Sequence, residues 1–162
     1  MSGISGIAST LLGPIGTQRG WQDVVYGLTP GAGQPYAHVV PGQYRERLIA
    51  VKFTFATSAV VANRVAVLQL SDASGNELIY QVCSGAIVAA SVLTVTLAVG
   101  LTTSPGISAG NSVGGICDLI VEPGWTWSIV ASAMDAGDQI SAVTMIVQRF
   151  PTSDPDIATT TA

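Results

Sequence analysis

The stretch YRERLIAVKFTFATS, residues 44–58, decides the fold. Ile49, Val51, Phe53 and Phe55 recur at every second position, with Ala50, Lys52 and Thr54 between them. A period of two marks a strand with one buried face, and β-branched and aromatic side chains suit that pleated surface. The same reading extends outward. NRVAVLQLSDA (63–73) is apolar on both faces and predicts a central strand, and SDASGNE (71–77) carries the Asp, Ser, Gly and Asn of a turn. LIYQVCS (78–84) alternates through Leu78, Tyr80 and Val82, and the next strand alternates through Leu93, Val95, Leu97 and Val99. TTSPGISAGNSVGG (102–115) reads as a long loop of small residues. Strands are then expected at 116–122, at 125–134 after the turn EPGW, and at 139–150 after the turn DAGD.

Residues 21–44 read as short extended pieces between Gly-Pro turns, and no segment carries a helical period. The expected fold is all-β: a two-sheet antiparallel β-sandwich of about seven or eight strands, arranged as a jelly roll. The sandwich should occupy residues 21–150 as one domain. A flexible apolar N-terminal arm, 1–20, precedes it, and a polar C-terminal tail, 151–162, follows.

Composition narrows what such a domain does. Charged residues make up 10% of the 162, against about 25% in an average soluble domain. A surface so poor in charge does little to oppose association. The net charge is −4 and the six basic residues form no run, which argues against nucleic acid as a ligand. The apolar run 86–101 is short for a membrane span and alternates like a strand, so no membrane partner is expected. The N-terminus lacks the basic region of a secretory signal, and Pro14 and glycines interrupt its apolar residues. The first 18 residues carry no charge, yet include Ile4, Ile7, Leu11, Leu12 and Ile15. Such an arm is too apolar to prefer water and too rich in glycine to fold alone, so these five are candidate partner-binding residues. Arg45 and Arg47 share a face opposite Glu46; they are either dock points for an acidic partner or members of local ion pairs.

No active site stands out. Two G-x-S-x-G matches, at Ser108 and Ser112, lack the following helix and the downstream histidine that a nucleophile elbow requires. His38 is the single histidine, which excludes a multi-histidine metal site; a structural hydrogen bond is the expectation. Cys83 and Cys117 lie in apolar strand-like runs, where two buried reduced thiols are the simpler reading and a bridge the alternative. Asp135 and Asp138 sit in a turn and Asp154 and Asp156 in the tail; turn geometry is the first reading, a weakly held cation the second. Trp125 and Trp127 share a strand face and read as core, with sugar stacking as the alternative. No catalytic residue, metal or cofactor is expected.

Two stretches, 47–80 and 121–150, carry a resemblance. The link TSAVVANR, the turn DASGN, the turn PGW and the turn DAGDQIS resemble strings in small structural proteins of tailed-bacteriophage virions. The size and expected fold look most like a capsid decoration, or cement, protein. The resemblance implies a non-enzymatic component of the outer capsid surface, assembled in the bacterial host cytoplasm. It further implies bridging of major capsid protein subunits and self-association as a trimer or dimer. A carbohydrate- or receptor-binding module of a fibre or tail, using Trp21, Tyr36, Tyr44 or Trp125, is the alternative, as is a head–tail or tail part.

Overall fold

The computed structural model describes residues 20–101, 107–108 and 110–152, which form eleven strands and no helix. In chain order these are β1 (Trp21–Tyr26), β2 (Tyr36–Val39), β3 (Tyr44–Ala56), β4 (Ala66–Ser71), β5 (Glu77–Val82) and β6 (Val92–Val99). There follow β7 (Ile107–Ser108), β8 (Asn111–Ile116), β9 (Ile120–Val121), β10 (Thr126–Ala131) and β11 (Gln139–Pro151). One sheet runs β1-β11-β3-β6-β8-β7, with β9 also on β3; the other runs β2-β10-β4-β5.

With β7, β8 and β9 set aside, eight strands remain, ordered β1-β11-β3-β6 over β2-β10-β4-β5. Each connection then crosses between sheets except the β4–β5 hairpin, which is the double Greek key of a jelly roll. The hairpin turn forms for a local reason. Asp72 Oδ1 accepts hydrogen bonds from the Ser74 and Asn76 amides, both at 2.8 Å, and Gly75 takes a φ of +86° that favours glycine.

The inner faces meet in a core built on Val51, Phe53, Phe55, Leu68, Leu70, Leu93, Val95, Leu97, Trp127, Ile129, Met145 and Val147. Burying each such side chain contributes about 1.5–3 kcal/mol relative to leaving it in water. Trp127 fills the core as expected, and Trp125 packs against it from just before β10. The alternation along β3 shifts once. Val51 pairs with Met145 and Ala50 with Ile146, but Leu48 pairs with Val147, so Ile49 is the extra residue of a bulge. Leu48 and Glu46 therefore face inward, and Ile49 does not continue the row of Val51, Phe53 and Phe55.

Three sequence expectations are corrected. Residues 111–115, placed in a loop, belong with Ile116 to β8, paired in parallel with β6 from Thr94↔Asn111 to Val99↔Ile116. β8 closes the gap between the two sheets: Gln81 on β5 donates to the Gly115 carbonyl, and Ser112 Oγ donates to the Cys83 carbonyl at 2.7 Å. The strand expected at 116–122 is divided: Ile116 ends β8, residues 117–119 lie in no strand, and Ile120–Val121 form β9. Cys117 is consequently exposed, while Cys83 is buried; both thiols are free. Residues 1–19 and 153–162, including Ile4, Ile7, Leu11, Leu12, Ile15, Asp154 and Asp156, lie outside the described residues.

Candidate functional site

The sandwich has two ends. At one, the chain enters at Gly20 and leaves after Thr152, and the turns 40–43 and 72–76 cluster with the segments 117–119 and 122–125 on either side of β9. The loops 27–35, 57–65, 83–91 and 132–138 form the other.

The first end is charged. Glu46 is fully buried between the sheets, with Oε2 2.7 Å from His38 Nε2 and Oε1 accepting from Arg149 Nε at 2.8 Å. Arg149 also pairs with Asp23 and lies over the Tyr44 ring, which Trp21 meets edge-on at 5.1 Å. Burial alone would raise the Glu46 pKa; the hydrogen bonds and charges of His38 and Arg149 outweigh it and hold the carboxyl below the usual range. His38 is thus a structural hydrogen-bonding partner. On the outer face Arg45 Nε donates to Glu122 at 2.9 Å. Arg47 grips Asp118 with Nε and Nη2, both at 2.5 Å. Both candidate arginines are engaged within the chain, and the structure does not bring them together with the apolar patch described next.

The second end is apolar at its surface and ionic beneath. Leu28, Val60, Val61, Val88 and Val92 are all exposed, Val61 at 93% and Leu28 at 89%. Among the described residues of the four loops, Asp135 is the one charged side chain that reaches solvent. Arg64 and Asp138 lie at 0% exposure below. Arg64 Nε donates to Asp138 Oδ2 at 2.6 Å, and the remaining nitrogens donate to the Val60 and Ala62 carbonyls and to Ser58 Oγ. Asp138 also accepts from the Ser58 and Asp135 amides, each at 2.7 Å.

This clasp dictates what the surface shows. With the carbonyls of Val60 and Ala62 drawn down onto the guanidinium, the Val60 and Val61 side chains project outward. A bridge between Arg64 and Ile87 ties in the neighbouring loop, and Thr57 Oγ1 donates to the Val88 carbonyl at 2.8 Å. Ala90 holds a φ of +53°, a conformation that costs a non-glycine residue on the order of 1 kcal/mol and persists because its amide bonds the Ser58 carbonyl. Beside these loops lies a half-open, mostly apolar pocket of about 400 Å³ lined by Ala86, Ile87, Val88, Ser91, Val92, Leu93 and Gly110.

The Asp135–Asp138 turn is thus an ion-pair anchor, and among the described residues no cluster of three potential metal ligands occurs. Ser112 spends its hydroxyl on Cys83, and His38 lies at the opposite end. Burial pushes the Cys83 thiol up to about 12, so it is no nucleophile. Of the aromatics named for sugar stacking, Tyr36 is buried, donating from its hydroxyl to Met145 Sδ, and Tyr44 packs against Trp21.

Motifs do not reveal the apolar end, because its exposed side chains come from loops far apart in the chain. A signal was present: residues 78–117 contain no charged side chain. No family model and no curated protein matches the sequence. Solved structures do. A structure of the infectious bursal disease virus Gt strain is 12% identical, covering 80% of this chain and 29% of that one, at a TM-score of 0.35. The T13 particle of that virus is 10% identical over 91% of this chain and 35% of that one, at 0.36. Its VP2 subviral particle is 12% identical over 94% and 38%, at 0.37. The chain spans about a third of the length of those chains.

Proposed function

We propose that this chain is a non-enzymatic structural protein of a bacteriophage virion, a decoration protein on the outer capsid surface that bridges major capsid protein subunits. The observation that carries this reading is the almost charge-free end of the sandwich, built over the buried Arg64–Asp138 pair. An exposed apolar surface of this kind marks a protein contact, and a buried arginine holds it in place. The resemblance of 47–80 and 121–150 to virion proteins points the same way. The charged end, with its ion pairs satisfied within the chain, suits the face left in water. Contacts repeated over a symmetric shell add by avidity, so each contact is free to be weak.

The test is co-sedimentation with heads assembled without this protein. Saturable binding in a fixed ratio to the major capsid protein is expected, weakened when residues 2–18 are deleted. Absence of binding at any concentration would remove the decoration role.

A further inference from the structure

We infer that the apolar end receives the N-terminal arm of a second copy of this chain. The inference rests on the reading of that end as a contact surface and names its occupant.

Three observations argue for it. The first is charge. The arm is uncharged through residue 18, and the end exposes Leu28, Val60, Val61, Val88 and Val92 beside a single accessible carboxylate. Asp135 is the one charged side chain that reaches solvent among the described residues there, so burial against the arm strands at most one carboxylate. The second is shape. The pocket of about 400 Å³ at Ile87, Val88, Val92 and Leu93 is large enough for branched aliphatic side chains, and the arm supplies five.

The third is reach. Trp21 pairs with Arg149, and Arg149 with Glu46, so the arm departs level with Glu46. From there to Ala56 is roughly ten strand positions, about 33 Å at ~3.3 Å each, and the apolar loops stand beyond Ala56. An extended chain gains at most ~3.3–3.6 Å per residue. Folded back along its own molecule, the arm would bring Leu11 only level with Ala56. Leu12 and Ile15 would lie along the flank, and only Ile4 and Ile7 would touch the end. On another copy all five can engage. The contact is heterologous, arm to end, so successive copies close into a ring or extend into a chain.

The experiment is a complementation test in full-length protein without heads, read by sedimentation velocity. One variant carries Leu11→Asp and Leu12→Asp; the other carries Val61→Asp and Val88→Asp. Near-UV circular dichroism checks that each is folded, and Leu28→Asp replaces the second pair if it is not. The unaltered chain is expected to associate with rising concentration, and each variant alone to stay monomeric at concentrations at least tenfold higher. An equimolar mixture should form a heterodimer, since it restores one intact arm and one intact end. An arm variant that still self-associates would show end-on-end packing and overturn the inference. So would a mixture that stays monomeric, or an unaltered chain that never associates. Because no capsid is present, these outcomes are independent of binding to heads.

Discussion

At one end of the sandwich Arg45 and Arg47 hold their carboxylates at the surface, where water screens the attraction; at the other, Arg64 and Asp138 have been drawn wholly beneath the loops. The two arrangements use the same chemistry for different ends. A surface pair contributes little to stability and leaves the face hydrated. A buried pair is costly to desolvate, but once fully hydrogen-bonded it fixes the backbone around it. Here it fixes the carbonyls of Val60 and Ala62, and apolar side chains face outward as a result. The ion is spent on orienting a greasy surface rather than on wetting it.

The sharpest way to break this comparison is to remove the buried cation. Arg64→Ala leaves the Asp138 carboxylate buried and unpaired, and is expected to destabilise the fold by about 3–5 kcal/mol, measured by urea unfolding. A loss under about 1 kcal/mol would mean that the clasp does not organise the end.

Acid comes next, because it acts on both ends. Burial alone would raise the Asp138 pKa, but the amides of Asp135 and Ser58 and the Arg64 guanidinium outweigh it, so the folded value is lowered, as it is for Glu46. A carboxyl with a lowered folded pKa contributes stability that is present above its unfolded value, about 4. That stability is lost as pH falls through the folded value. The urea midpoint should therefore be steady near neutrality and decline below about pH 5, and Glu46→Gln should shrink the decline without abolishing it. A midpoint unchanged between pH 7 and 3 would contradict the assigned partners.

The smallest effect belongs to the outer pair. Arg47→Ala removes an exposed contact to Asp118 and should cost less than about 1 kcal/mol, shrinking further in high salt. A loss as large as that of Arg64→Ala would erase the distinction between the ends.

How much of this is legible in the sequence depends on the range over which each signal acts. The alternation in β3 and β11 is local, and both strands are recognisable from it. The bulge at Ile49 hides because an isoleucine fits either face. β8 hides for another reason. Its Asn111, Ser112, Gly114 and Gly115 carry turn chemistry, and β6 supplies the pairing. At Gly115 a Cβ would come within 2.0 Å of the Leu101 carbonyl, so the residue that looks like a turn former is a strand residue with no room for a side chain. The Arg64–Asp138 clasp joins residues far apart in the chain, and an aspartate before a strand reads first as turn chemistry.

The position of β11 has a consequence for synthesis. It pairs with β1 on one side and β3 on the other, so the last of the described strands to be made lies inside its sheet rather than at the rim. At roughly 5–20 residues per second, a growing chain leaves the edge of β3 that pairs with β11 without its partner for about 5–20 seconds before β11 leaves the ribosome. During that interval β3 has an open flank in a crowded cell where many copies are being translated together. Newly made protein should therefore depend on chaperones and on temperature far more than the finished sandwich does.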